Sequence, residues 1–106
     1  MTRPIPLTND EIDAALAALP GWELRDGALR RQYKFANFTV AFAWMTEMAA
    51  AAEAIDHHPD WRNVYNRVDV ALSTHDAQAV TELDVNLARQ MEDCAARHAV
   101  NQPPST

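Results

Sequence analysis

Cysteine is nearly absent from this chain. Cys94 is the only one, and one thiol excludes both an intramolecular disulfide framework and a cysteine-rich zinc site. Its helical spacing from Leu87 and Met91 marks it as a small core or interface residue rather than a nucleophile. Long apolar runs are missing too, so nothing in the sequence is built to span a bilayer. Met1 to Thr8 carries Pro4 and Pro6 and no apolar h-region, so no signal peptide is expected and the chain is placed in the cytoplasm, with no membrane partner. There is no lysine/arginine cluster. With a formal net charge of −6, the chain is expected to repel phosphate backbones, which argues against direct nucleic-acid binding.

What is present is one domain's worth of ordinary globular sequence: 106 residues, 48% hydrophobic and 23% charged. No internal repeat or linker divides it. Residues 1–106 therefore read as a single domain with a core of about 8–98, and residues 1–7 and 99–106 as frayed ends.

The punctuation predicts seven elements. Thr8 and Glu11 form a capping box ahead of a helix with Ile12, Ala15, Leu16 and Leu19 on one face, stopped by Pro20 and Gly21. Strands at Trp22–Leu24 and Leu29–Phe35 flank Asp26-Gly27, a strong hairpin signal. In the second strand Leu29, Arg31, Tyr33 and Phe35 share a face. Asn37 caps a long helix whose core stripe is read as Phe38, Phe42, Met45, Ala49, Ala52 and Ile55, ended by Pro59. A short strand follows at Val64–Asn66, and Val68, Val70, Leu72 and Thr74 alternate as a half-buried strand ending at His75. Thr81 starts the last helix, with Asp84 three residues on, Val80 and Val85 as a hydrophobic staple, and Leu83, Leu87, Met91 and Cys94 as its buried face. The order α-β-β-α-β-β-α predicts an α+β fold: a four-stranded antiparallel sheet with three helices on one face. The uncovered face or an edge strand then calls for oligomerisation.

Three of the four histidines, His57, His58 and His75, fall at the ends of such elements, where rigid supports hold chemically useful groups. Glu53 lies one helical turn before His57, and Asp84 lies in the first turn of the last helix. Each has a plain structural reading. Adjacent histidines are common turn residues, Glu53 and His57 fit a surface i,i+4 pair, and Asp84 fits an acidic cap. His98, near the end of the last helix, suits the helix dipole. Three histidines with Glu53 also suggest zinc, but the His-Glu-x-x-His spacing and any cysteine pair are missing, so no metal is expected.

The segment from Glu53 to Asp84 as a whole resembles the pterin-4a-carbinolamine dehydratase family. The resemblance rests on Glu53, the run His57-His58-Pro59, Trp61, Asn63, Tyr65, Asn66, Leu72, Ser73, Thr74, His75 and Asp84; of these, Glu53, His57, His58, Pro59, Tyr65, His75 and Asp84 meet the family pattern without a gap. Gly21, Trp22, Tyr33, Phe35, Phe38, Phe42 and Met45 fit its layout outside the segment, so the likeness runs over roughly residues 8 to 95. One departure is visible: many members carry glycine before an aliphatic residue between His75 and Asp84, where this chain has Ala79 and Val80. If that position requires a positive φ, the turn is altered.

The resemblance implies a dehydratase that removes water from a 4a-hydroxytetrahydropterin to give the quinonoid dihydropterin, recycling tetrahydrobiopterin beside an aromatic amino-acid hydroxylase. Hydroxide leaves poorly without an acid, and the N5 proton needs a base. Imidazole, with an unperturbed pKa of about 6.5, suits both. The implied catalytic residues are His57, His58 and His75. Asp56, His57, His58, Ser73, Thr74, His75 and Trp61 are implied to contact substrate. Glu53 and Asp84 are implied to orient imidazoles and favour their charged forms. No electrons are transferred, so no cofactor is implied. The family forms homodimers or homotetramers, and some animal members also bind a transcription-factor helix as dimerisation cofactors, which is the alternative function.

Overall fold

The computed structural model describes residues 4–100, with the Val100 side chain left aside. Residues 1–3 and 101–106, most of the ends expected to fray, lie outside the described residues. Leu7 is not frayed: its N–H donates to the Val80 carbonyl at 2.9 Å, and its side chain packs against the core.

The elements follow the expected order: α1 (Asn9–Ala17), β1 (Glu23–Arg25), β2 (Ala28–Lys34), α2 (Phe38–Ala54), β3 (Asp60–Val64), β4 (Arg67–Leu72) and α3 (Glu82–Val100), with a short 3-10 turn at His75–Ala77 before α3. The four strands form one antiparallel sheet in the order β1-β2-β4-β3. The α1 capping box is present, with Thr8 Oγ1 accepting from Glu11 N–H and Glu11 accepting from Thr8 N–H. Asp26 and Gly27, both at positive φ, form the two-residue turn between Arg25 and Ala28, as an Asp-Gly hairpin demands. Gly21, at φ +91, lies so close under the Arg31 guanidinium that a Cβ there would collide with it. The guanidinium is the end of a flexible side chain and can move aside, so it is the left-handed backbone that favours glycine at that position.

Several boundaries move. The helix α1 ends at Ala17, ahead of Pro20, and β3 is Asp60–Val64 rather than Val64–Asn66. The largest revision concerns α2. Its buried residues are Ala41, Trp44, Met48 and Ala52, whereas Phe38 and Phe42 are 47% and 54% exposed. Of the expected stripe, Met45 and Ile55 are half-buried and Ala49 faces solvent. The helix is apolar nearly all round, so two stripes satisfy the i, i+3, i+4 rule, and the bulkiest side chain, Trp44, decided which faces inward. Trp44 is fully buried, and its indole N–H donates to the Met91 carbonyl at 3.2 Å. Truncating such a residue typically costs about 3–5 kcal/mol.

The core lies between the inner sheet face (Leu29, Tyr33, Val68, Val70, Leu72) and the helices, chiefly Trp44 and Met48 from α2 with Leu87, Met91 and Cys94 from α3. The outer sheet face bears Arg30, Arg62, Asp60 and Asp69 around a shallow groove of about 350 Å³. Its charges alternate in sign, so it offers no single-sign field.

Candidate active site

The site is built where α2 ends, the 3-10 turn begins and α3 starts. The helix α2 stops at Ala54, five residues before Pro59, because the chain enters a left-handed turn at Asp56 (φ 49). Two backbone bonds close that turn: His57 N–H to the Ala52 carbonyl at 3.0 Å and Asp56 N–H to the Glu53 carbonyl at 3.1 Å. This is a Schellman closure with aspartate at the position that glycine usually fills. It turns His57 inward, where it is 8% exposed.

There His57 Nε2 meets Asp84 Oδ1 at 2.6 Å. Asp84 is completely buried. Its second oxygen, Oδ2, accepts from Thr81 N–H at 2.9 Å and from the Thr74 hydroxyl at 2.8 Å. The Thr74 proton being spent on Asp84, the 2.6 Å contact between the Thr74 and Thr81 hydroxyls is donated by Thr81. Thr81 Oγ1 in turn accepts from Leu83 N–H at 3.2 Å. Asp84 is thus both the acidic partner in the α3 cap and the anchor of an imidazole 27 residues away. A carboxylate can satisfy all three donors, which is what a buried anion requires. Because the carboxylate only accepts, the His57 Nε2 carries the proton, and Nδ1 is left for other chemistry.

The remaining predicted residues arrange themselves around this anchor. His58 Nε2 bonds Glu53 Oε1 at 2.8 Å, and both side chains are exposed. Glu53 therefore meets His58 rather than His57, because the helix ends between them and the turn at Asp56 rotates His57 away. His75 does not end a strand: β4 stops at Leu72, and His75 opens the 3-10 turn, exposed to solvent. Its neighbour Thr74 is buried on Asp84, which brings the His75 backbone beside the His57 anchor. The turn is closed by Thr74 pairing with Ala79, and its positive φ falls on Gln78 (φ 51). Ala79 therefore needs no glycine, and the departure noted above leaves the loop intact. Asp56 and Ser73 are exposed nearby. The Thr74 hydroxyl, expected to contact substrate, is committed to Asp84. Trp61, half-buried, packs its ring on Trp44 with centroids 6.1 Å apart, a core role.

An open cleft of about 930 Å³ is lined by Asp56 and Asp76, the neighbours of His57 and His75, but by none of His57, His58 and His75 themselves. Ile55 and Asp56 line one side, Asp76 and Thr81 another, and Ile5 and Leu7 of the N-terminal segment a third. Its volume lies in the range of small-molecule pockets. The sequence missed the Thr74–Thr81–Asp84 chain of bonds. Thr81 and Asp84 signalled a cap, but no local pattern tells that a capping carboxylate also reaches a histidine from another element.

Among the described residues, two groups bring three metal-ligating atoms within 4.8 Å of one another: Glu53, Asp56 and His58, all exposed, and Glu47, Cys94 and His98. Neither includes His57 or His75, so the three-histidine zinc arrangement is not formed.

Comparison with known proteins gives a consistent picture. The family model described as pterin 4 alpha carbinolamine dehydratase matches residues 5–94. A protein of Rhizobium leguminosarum bv. trifolii, provisionally named pterin-4-alpha-carbinolamine dehydratase, is 55% identical over 96 residues, covering 89% of this chain and 95% of its own. A Bordetella avium protein with the same provisional name is 52% identical over 89 residues, covering 82% of each. Among solved structures, the transcriptional coactivator/pterin dehydratase of Brucella melitensis superposes with a TM-score of 0.83 at 49% identity, covering 85% of this chain and 98% of that one.

Proposed function

The chain belongs to the pterin 4 alpha carbinolamine dehydratase family, and on that premise we propose that it dehydrates a 4a-hydroxytetrahydropterin to the quinonoid dihydropterin by histidine acid–base catalysis. The observation that carries the reading is the 2.6 Å bond between His57 and the fully buried Asp84. A buried carboxylate that holds one nitrogen of an imidazole fixes its tautomer and leaves the other nitrogen, here Nδ1, available for proton transfer.

The chemistry balances without a redox partner. The N5 lone pair pushes as the C4a–O bond breaks, one imidazolium protonates the departing hydroxide to water, and a neutral imidazole collects the N5 proton. His57 and His75 divide these two transfers. His58, tethered by Glu53, binds the pterin, with Asp56 and Ser73 offering further polar contacts. Thr74 and Thr81 act behind them by holding Asp84. No electron moves, so the reaction calls on no cofactor. In this reading the protein works in the cytoplasm as a homodimer or homotetramer, beside an aromatic amino-acid hydroxylase that makes its substrate.

One observation favours a second reading. Phe38 and Phe42 stand exposed on α2 with ring centroids 5.7 Å apart, an apolar handle suited to a helix of another protein. The name of the Brucella melitensis structure includes a coactivator role. The deciding experiment is a coupled assay with a pterin-dependent hydroxylase in excess EDTA. The carbinolamine absorbance decays faster when this protein is present if it is the dehydratase. Unchanged decay at stoichiometric protein rejects the enzyme and leaves the helix-binding role.

A further inference from the structure

We infer that Glu47, Cys94 and His98 form a divalent transition-metal site that ties α2 to α3, apart from the pterin cleft. Cys94 and His98 stand one helical turn apart on α3, the i,i+4 spacing that puts two ligands on one helix face. Glu47 approaches from α2. Its Oε2 accepts from the Cys94 thiol at 2.8 Å and lies 2.7 Å from His98 Nε2. A thiol, an imidazole and a carboxylate from two helices thus converge, and that mixed set is suited to zinc. The site lies ten residues along α3 from Asp84, roughly 15 Å of helix.

Metal entry asks for little movement. Ligand atoms around a tetrahedral zinc stand roughly 3.3–3.8 Å apart, given bonds of about 2.0–2.3 Å, so the three atoms need only spread by a fraction of a side-chain rotation. Cys94 is buried to 1% exposure while Glu47 is open to solvent, giving one dry ligand and one entry path. Arg97 Nη1 holds the other Glu47 oxygen, Oε1, at 3.4 Å, the outer contact that orients a ligating carboxylate. Binding replaces the thiol proton by the metal: one proton leaves Cys94, His98 binds as neutral imidazole, and the dication meets two anionic ligands, so the site ends neutral. Burial and the Glu47 hydrogen bond push the Cys94 thiol up to about 12, so the metal-free site holds the proton that the metal must displace.

The test is a titration of the full, chelator-stripped chain with Co²⁺ and with Zn²⁺. One equivalent of Co²⁺ is expected to bind with a thiolate-to-cobalt charge-transfer band. Zn²⁺ is expected to displace it and raise the melting temperature. Cys94→Ser loses the band. His98→Ala, a half-exposed position that spares the core, is expected to weaken Zn²⁺ at least about a hundredfold and abolish the melting shift, since even outer-contact losses cost ten- to a hundredfold. Dehydratase turnover is read alongside and is expected to be the same with and without metal. The site is overturned by absence of stoichiometric Zn²⁺ binding tighter than about 10 µM. It is equally overturned by binding that survives in both Cys94→Ser and His98→Ala, or that is lost only in His58→Ala, which would move the metal to the Glu53, Asp56 and His58 group.

Discussion

The carboxylate of Asp84 holds the His57 imidazole at 2.6 Å with one oxygen while its other oxygen accepts the Thr81 N–H at the start of α3 and the Thr74 hydroxyl. One buried anion therefore fixes a helix start and a catalytic candidate together.

Asp84→Asn separates these duties. Asparagine offers one acceptor oxygen where aspartate offers two, so its amide N–H2 faces a former donor: either that donor loses its partner or His57 must shift its proton to Nδ1. Stability is expected to fall by about 1–3 kcal/mol, the cost of one unsatisfied buried group. Turnover is expected to fall at least tenfold further than the folded fraction explains, because the charge facing His57 is gone. Chemical denaturation and steady-state kinetics on the same preparation decide it. Normal kcat with reduced stability makes Asp84 a cap alone.

The histidines make a second test. His57→Ala and His75→Ala are each expected to lower kcat on the order of a hundredfold or more with cooperative unfolding retained. His58→Ala is expected to act mainly on KM, since Glu53 holds it exposed at the surface. His98→Ala leaves turnover unchanged. Wild-type rates in both His57→Ala and His75→Ala would remove this segment as an active site.

The exposed α2 stripe predicts assembly. Light scattering at micromolar concentration is expected to give a dimer or tetramer. Phe38→Glu with Phe42→Glu is expected to yield a smaller species whose circular dichroism is unchanged, because neither ring is buried within the chain. A wild-type monomer rejects the prediction outright.

Stability should be asymmetric in pH through the α2–α3 contact. The Cys94 hydrogen bond, then His98, with Arg97 adding attraction, holds the Glu47 carboxyl down to about 2 from its ordinary 4.5. A depressed carboxyl stabilises the fold above its unfolded value, so this contribution is present above about pH 4.5 and fades as pH falls toward 2. The Cys94 thiol is raised from 9.0 to about 12 by burial and then by Glu47. Its contribution is complete below pH 9.0 and is lost as pH climbs toward 12. Melting curves of the metal-free protein against Glu47→Gln are expected to differ at pH 7 and converge near pH 2. A constant gap down to that pH argues against the assignment. Iodoacetamide at pH 8 is expected to leave Cys94 unmodified until the chain unfolds.

Much of this protein was decided locally, and the sequence carries it. The Thr8 capping box, the Asp26-Gly27 hairpin, the Asn37 cap and the alternation of Val68, Val70 and Leu72 are short-range codes, since each is satisfied by residues within a turn or a strand. They suffice for the order α-β-β-α-β-β-α and for placing His57, His58, His75 and Asp84 at element ends. What local codes leave open is the choice among partners. Two stripes of α2 obey the same periodicity, and only the fit of Trp44 among Tyr33, Phe35 and Met91 selects the buried one. Glu53 is spaced equally well for a surface pair with His57, but the left-handed Asp56 turns His57 into the core and leaves His58 to Glu53. Asp84 reads as a cap from its own helix, and its bond to His57 exists because packing α2 against α3 and β4 removes both groups from water, where each must find the other. The Glu47, Cys94 and His98 cluster belongs to the same class. Its ligands are 47 and 51 residues apart in sequence, and only the pairing of two helices brings them to one point.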